Sequence, residues 1–165
     1  MIRKLGEADF YSALAVINSA AEAYRGVIHP DLWKEPYMSP EYLKEELDSG
    51  VAFWGYEAAG ELAGVMGIQD VDDVTLIRHA YVRTEDRNKG IGARLLDHLR
   101  GMTDRPILIG TYRAAAWAVY FYQKHGFRII DGEEKDRLLR KYWRLPARQV
   151  ETSIIMADEK WFDRI

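Results

Sequence analysis

The residues best suited to chemistry are the run 87–92, Arg-Asn-Lys-Gly-Ile-Gly, which lies between a β-rich segment and a helical pattern. A helix that begins here leaves several backbone N–H groups free, and its dipole adds about half a positive charge. Gly90 and Gly92 let the backbone approach an anion closely, and Arg87 and Lys89 add charge beside it. The run favours phosphate or pyrophosphate binding, with a plain strand-to-helix turn as the alternative.

Two common nucleotide motifs do not fit this run. The chain contains no G-x-x-x-x-G-K-[ST] sequence, so a P-loop is excluded. A dinucleotide fingerprint needs a third glycine where this chain has Leu95. Neither motif therefore accounts for the glycine turn.

Two blocks of the chain resemble the GCN5-related N-acetyltransferases (GNAT). The first is Ala-Tyr-Val at 80–82 followed by R-x-x-G-x-G at 87–92, which is similar to that family's acetyl-CoA-binding motif. The second, at 118–127, is similar to its later A-x-x-x-Y-x-K-x-G-F helix. The pair, in the expected order and separation, covers residues 76–127. The resemblance implies a central twisted mixed sheet flanked by helices, an α/β fold, and acetyl transfer from acetyl-CoA to an amine.

The resemblance also implies which residues hold the donor. Backbone groups of Ala80, Tyr81 and Val82 would bond the pantetheine arm, which can pair like an extra strand. Ala115 stands where the family often has an asparagine that helps to bind the cofactor, so that contact is missing. The pyrophosphate would lie against Arg87, Asn88, Lys89, Gly90, Ile91, Gly92 and Ala93.

Tyr122 aligns with the family's general-acid tyrosine, five residues before Phe127. A phenol with a pKa near 10 can donate a proton to a departing thiolate. Tyr122 could instead be a core aromatic, and Tyr120 is a nearby rival for the acid.

The resemblance supplies no general base, because Leu76 and Arg78 occupy the strand positions where relatives carry Glu or His. The adjacent His79 has a suitable ordinary pKa, although strand alternation turns it away from Arg78 unless a bulge intervenes. A structural histidine is the commoner outcome. The alternatives are water-mediated deprotonation and the carboxylates Asp70, Asp72, Asp73 and Glu22.

Two further segments could contact the acceptor. The stretch 135–148 carries six Lys or Arg residues with Tyr142 and Trp143 among them, and it could bind an acidic group. A solvated basic helix with Leu138, Leu139 and Tyr142 packed inward is slightly preferred. The irregular segment 24–36 and the residue after it carry the side chains Tyr24, His29, Trp33 and Tyr37. These side chains could line an acceptor cleft, or they could pack the long loop against the rest of the protein.

The elements that must position these residues alternate along the chain. Apolar spacing predicts helices at 10–24, from Ser39-Pro40 to Gly50, from Ile91 to Met102, and at 114–125 with Gly126 as the cap. Asp70, Asp72 and Asp73 mark a turn. Strands are predicted at 2–5, 51–56, 62–68, 74–83, 106–112, 127–130 and 150–157.

Composition limits the classes of function. A chain of 165 residues is most simply one domain, 1–165, and a net charge of −3 argues against nucleic acid. No membrane span or signal peptide is expected, which makes a cytoplasmic location the default. The absence of cysteine excludes disulfides, thiolate metal sites and a cysteine nucleophile, and no metal is expected.

The sequence therefore predicts an acetyl-CoA-dependent N-acetyltransferase that acts on a small-molecule or peptide amine. The acceptor is left open, and a homodimer is an open expectation because dimers are common among similar proteins. Two rivals remain: a catalytically weak acyl-CoA-binding or regulatory module on the same fold, and a plain nucleotide-binding protein.

Overall fold

The computed structural model describes residues 1–164. Within them lie the strands β1 (Ile2–Lys4), β2 (Ala52–Ala58), β3 (Glu61–Val71), β4 (Val74–Val82), β5 (Ile107–Tyr112), β6 (Arg128–Ile130) and β7 (Ser153–Ala157). These seven strands form one sheet in the order β1-β2-β3-β4-β5-β7-β6. β4 and β5 run parallel, and the other described neighbours are antiparallel. The mixed sheet confirms the predicted fold class.

Helices cover both faces of the sheet. They are α1 (Phe10–Ala21), α2 (Pro40–Asp48), α3 (Ile91–Arg100), α4 (Ala116–Lys124), α5 (Gly132–Leu138), α6 (Ala147–Thr152) and α7 (Glu159–Asp163). Successive side chains of a strand point to opposite faces. Ile77 accordingly packs in the cluster formed by α3 and α4, whereas Leu76 packs with residues of α5 to α7. The register of β3 against β4 places α1 and α2 on the Leu76 face.

Local signals account for several predicted boundaries. Ser39 begins α2 as predicted, because its Oγ accepts a hydrogen bond of 3.0 Å from the Tyr42 amide. The strands predicted at 51–56 and 62–68 form an antiparallel hairpin as β2 and β3. Gly126 follows α4 with a φ of +90°, the left-handed conformation that glycine adopts easily.

Other predicted boundaries are wrong. The helix predicted through Tyr24 ends at Ala21 and continues as a 3-10 turn. Met102 does not lie on α3, because that helix ends at Arg100 before Gly101, and its side chain is exposed. Asp70 lies inside β3, so the turn consists of Asp72 and Asp73 alone.

The end of the chain also differs from the prediction. The strand predicted at 150–157 begins only at Ser153, because α6 occupies the preceding residues. Val150 is buried on the inner side of α6. A buried position in a strand would be apolar too, so the residue type does not distinguish the two elements. The helix α7 was not predicted, although Asp158 caps it by accepting from the Trp161 amide.

β4 and β5 separate as they run towards their carboxyl ends. Their parallel pairing covers only Thr75–Ile77 of β4 against Ile107–Ile109 of β5. On their outer edges both strands stay paired to the end, with Val82 opposite Gly64 and Tyr112 opposite Ser153. The inner edges beyond Ile77 and Ile109 therefore face a gap in the sheet rather than each other.

A β-bulge lies in β4 at the mouth of this gap. Gly67 of β3 faces Arg78 and Val65 faces Tyr81, so one residue of β3 is opposite both His79 and Ala80. His79 adopts a φ of +55°, which is uncommon for a residue other than glycine. The extra residue redirects the side chains that follow it, and backbone strain of this kind is concentrated at functional sites.

Candidate active site

A cavity of about 730 Å³ occupies the gap between β4 and β5. Its walls come from β4, the turn before α3, the end of β5, the start of α4 and the 3-10 turn after α1. Binding sites are typically concave spaces of this size with a few convergent polar groups. The predicted donor-binding and catalytic residues can therefore be placed relative to one space.

The glycine turn presents backbone amides to one end of the cavity. Asn88 and Gly90 have φ values of 63° and 79°, and the first intrahelical bond of α3 runs from the Arg94 amide to the Gly90 carbonyl. The amides of Ile91, Gly92 and Ala93 consequently have no acceptor within the helix. All three residues line the cavity. This end of the cavity is suited to an anion.

All but one of the predicted donor-contact residues line the cavity. The exception is Lys89, whose Nζ lies 3.1 Å from Oδ1 of Asp86 and whose side chain is 60% exposed. Arg87 lies 6.0 Å from the centre of the Trp117 ring. The lining residues of the predicted set are Ala80, Tyr81, Val82, Arg87, Asn88, Gly90, Ile91, Gly92 and Ala93.

Tyr122 reaches the cavity from the buried side of α4. Its ring packs edge-on against Phe121 and Phe127, and only 6% of the residue is exposed. Burial, with a smaller contribution from Tyr24, raises the pKa of the Tyr122 phenol. Tyr120 also lines the cavity but is 68% exposed. The N-cap of α4 is the buried Ala115, which offers no side-chain cap.

The bulge brings three charged or titratable side chains together. Oε2 of Glu46, on α2, lies 2.8 Å from Nε2 of His79 and 3.0 Å from a terminal nitrogen of Arg78. Arg78 and His79 thus reach the same carboxylate although they are neighbours on one strand. Strand alternation would turn His79 away from Arg78 unless a bulge intervened, and that bulge is present. His79 and Arg78 line the cavity.

Burial and the neighbours of this cluster set its protonation. Burial lowers the pKa of His79, and the Glu46 hydrogen bond, which raises it, does not fully compensate. Burial by itself would raise the pKa of Glu46, but the His79 hydrogen bond and the positive charge of Arg78 outweigh it, so that this pKa is lowered. A neutral imidazole thus lies beside an ionised carboxylate at neutral pH.

Glu46 is the residue that the sequence analysis missed. It follows Leu43 by three residues, so the two lie on one face of α2. Leu47, the next residue of α2, is 40% exposed, whereas Glu46 is 8% exposed. An acidic residue in phase with a buried leucine was the signal that could have revealed it.

The four other carboxylates considered as bases lie elsewhere. Asp70 accepts a hydrogen bond of 2.6 Å from Thr75, and Asp73 accepts one of 2.6 Å from Tyr142. Glu22 pairs with Arg25 at 2.9 Å. Neither these three nor Asp72 is among the residues that line the cavity.

The segment after α1 supplies part of the cavity wall. Tyr24 and Tyr37 line the cavity, whereas His29 pairs with Asp31 and Trp33 packs under Arg25, 4.5 Å from the ring centre. Two of the four residues thus line the cavity, and the other two make contacts within their own segment.

The basic stretch 135–148 is mostly a packed surface element. Leu138, Leu139 and Tyr142 are buried as predicted. The stretch is not one helix, because α5 ends at Leu138, a π-helix covers Leu139–Trp143, and Arg144 has a φ of +58°. Lys135 is buried too, and its Nζ donates to the Val150 carbonyl at 2.6 Å. Trp143 is the aromatic of this stretch that lines the cavity.

Comparison with known proteins identifies the family. The sequence model for the acetyltransferase (GNAT) domain matches residues 17–140. The chain belongs to the GNAT acetyltransferase family. No curated protein matches the sequence significantly.

Solved structures of the family share the fold. PaiA N-acetyltransferase from Thermoplasma acidophilum, crystallised with coenzyme A, is 20% identical with a TM-score of 0.71, over 96% of this chain and 97% of its own. A GNAT-family acetyltransferase from Staphylococcus aureus Mu50 is 22% identical with a TM-score of 0.67, over 95% and 98%. The ribosomal-protein-S18-alanine N-acetyltransferase of Escherichia coli is 18% identical with a TM-score of 0.66, over 96% and 92%.

Residues 1–164 contain no group of three or more His, Cys, Asp or Glu side chains arranged to hold a metal ion. No helix in the same part of the chain combines the length and the apolar character needed to cross a membrane.

Proposed function

We propose that this protein is a single-domain N-acetyltransferase that moves the acetyl group of acetyl-CoA directly to a primary amine. The observation that carries the proposal is that one cavity joins the glycine turn to both His79 and Tyr122. An anion site, a base candidate and an acid candidate in one space are the parts that acyl transfer from a thioester to an amine requires.

The cavity has the features needed to hold the donor. The amides of Ile91, Gly92 and Ala93 and the Arg87 side chain would bind the pyrophosphate. The inner edge of β4 beyond Ile77 is not paired with β5, so the backbone of residues 80–82 can bond the amide groups of the pantetheine arm. An added Cβ on Gly92 would lie 3.4 Å from Phe121, so this position has little spare room.

His79 is the proposed general base. The carboxylate of Glu46 accepts a hydrogen bond from Nε2, which leaves the lone pair of the other ring nitrogen, Nδ1, free to take a proton. The lowered pKa keeps the ring neutral at neutral pH, as a base must be. Glu46 is a positioning residue here because it acts through His79.

Tyr122 is the proposed general acid. As the amine nitrogen bonds the carbonyl carbon and the carbon–sulfur bond breaks, the phenol would give its proton to the leaving sulfur. Its raised pKa keeps the phenol protonated at neutral pH, which this step requires. The amine proton goes to His79, so the protons balance over one cycle.

The pairing of His79 with Glu46 favours an enzyme over a module that only binds acyl-CoA. A binding module has no use for a buried carboxylate that orients a neutral imidazole at the cavity. The test is turnover of acetyl-CoA with a panel of primary amines, with free CoA measured and the acetylated amine identified by mass spectrometry. Amide product that requires both substrates would support the proposal. CoA binding with no amide product from any amine would overturn it.

A further inference from the structure

The acceptor end of the cavity is walled by aromatic rings. Four rings surround Tyr24, with centroid distances of 5.5 Å to Tyr37, 6.2 Å to Tyr81, 5.3 Å to Tyr112 and 5.9 Å to Trp117. These five residues form the aromatic cluster. They come from distant parts of the chain, and all of them line the cavity. They form a wall of flat ring faces, and four of the five residues also carry a phenol hydroxyl.

The aromatic cluster is held in place by its own contacts. The phenol oxygens of Tyr37 and Tyr112 are 2.8 Å apart, which ties the segment after α1 to the end of β5. Trp33 packs on the outer side of Tyr37, with 5.7 Å between the ring centres. The wall is therefore formed before a ligand arrives, and a ring-bearing ligand would need little rearrangement to pack against it.

Carboxylates that could hold a second ammonium group are scarce in the cavity. Asp86 is the one carboxylate among the lining residues, and it pairs with Lys89 beside the glycine turn. Glu46 is engaged by His79 and Arg78. A diamine or polyamine would therefore place its second ammonium group against this lining without an unpaired carboxylate to balance the charge.

An acceptor that carries a carboxylate would also bind poorly beside the proposed base. Arg78 is the cation nearest to the proposed base, and one of its terminal nitrogens lies 3.0 Å from Glu46 and 3.3 Å from the Gln69 side-chain oxygen. An acceptor carboxylate would have to compete with a buried intramolecular partner. The charges of Arg78 and Glu46 therefore already balance each other beside the proposed base.

We propose that the acceptor is a primary amine on an uncharged aromatic body, and that the aromatic cluster selects it. This inference rests on the proposed function and names the substrate class of that site. The ring would pack on the cluster by stacked or edge-on contacts, while the amine reaches His79. Polyamines, aminoglycoside-like amines and free amino acids would be poor acceptors.

The test compares matched amines at saturating acetyl-CoA. 2-Phenylethylamine and tyramine represent the proposed class, and putrescine and spermidine carry extra ammonium groups. Phenylalanine is 2-phenylethylamine with a carboxylate added on the carbon that bears the amine. We expect kcat/KM for the two aromatic monoamines to exceed the other values by about 10²-fold or more. Equal or higher kcat/KM with putrescine, spermidine or phenylalanine would overturn the inference and leave the transferase function intact. No turnover of any amine would overturn both.

Variants of Tyr37 test the cluster itself. Tyr37→Ala removes one ring and should raise KM for 2-phenylethylamine about 10-fold with a smaller effect on kcat, because the lost contact is a binding contact. Tyr37→Phe keeps the ring and should stay within about 3-fold of the parent. Tyr11→Ala, at an exposed tyrosine outside the cavity, controls for general effects. Stabilisation by CoA reports that each variant is folded. An unchanged KM in folded Tyr37→Ala would exclude the cluster from acceptor binding.

Discussion

The carboxylate of Glu46 lies 2.8 Å from Nε2 of His79, joining α2 to the bulge of β4. The two residues are 33 positions apart in the chain, and packing of α2 on the sheet brings them together. The contact fixes which ring nitrogen of His79 carries hydrogen and leaves the other as a proton acceptor. The proposed mechanism depends on this pair for its base.

Replacing His79 tests the base directly. His79→Asn should lower kcat by about 10²-fold or more, because an amide cannot accept the proton of the attacking amine. Asparagine tolerates the left-handed conformation at this position better than most residues, so the bulge should survive. The measurement is steady-state turnover beside CoA binding. A folded variant with parental kcat would remove His79 from the mechanism and favour water-mediated deprotonation.

Replacing Glu46 tests the positioning role through pH dependence. The Glu46 hydrogen bond raises the pKa of His79, so Glu46→Gln should lower it further. The acidic limb of the kcat/KM profile should move to lower pH, and the plateau should fall because the imidazole is a weaker base. Glu46→Asp keeps the charge and should restore part of the plateau. A lower plateau with an unmoved acidic limb would mean that Glu46 acts only on structure.

Tyr122→Phe tests the acid. The substitution removes one oxygen from a buried ring, so the fold and CoA affinity should change little while kcat falls about 10²-fold. Tyr120→Phe, at the rival position on the same helix, should have a small effect. If Tyr120→Phe gave the larger loss of kcat, Tyr120 rather than Tyr122 would be the general acid.

The stretch proposed to hold the donor could be placed on a strand, a turn and a helix start from sequence because its residues are contiguous. Residues 80–82 and 87–93 carry the strand, the turn and the helix start in one stretch, and the local pattern determines the geometry. The predicted fold class was confirmed for the same reason, since strands and helices alternate with clear spacing. Lys89 was included from its charge, and only the structure shows its side chain turned to Asp86.

The side of the cavity proposed to bind the acceptor could not be predicted in this way. His79 and Arg78 contact one carboxylate only because a bulge in β4 places two residues opposite one residue of β3. The alternation of residues along a strand does not reveal such a bulge. The aromatic cluster joins residues from 24 to 117 through tertiary packing. Val150 shows the same limit at the local level, because an apolar residue there suits a strand and the buried side of α6 equally.

The N-cap of α2 provides a test of the fold that is separate from catalysis. Ser39→Ala removes the acceptor of the Tyr42 amide and should lower the free energy of unfolding by about 1 kcal/mol. Ser39→Asp, which keeps an acceptor, should stay close to the parent. Urea denaturation measures the difference. Equal stability of Ser39→Ala and the parent would show that the cap contributes little.

Thermal unfolding with CoA, acetyl-CoA, ATP and NADH in parallel tests the proposed donor site most directly. CoA or acetyl-CoA at 100 times its Kd should add about 2.7 kcal/mol to the free energy of unfolding, and ATP and NADH should add less. Gly92→Asp, which places bulk and negative charge at the proposed pyrophosphate site, should abolish that gain in Tm. Gly101→Asp, the same change at the other end of α3, should retain it. No shift with CoA, or an equal shift in Gly92→Asp, would contradict the donor site on which the proposed function stands.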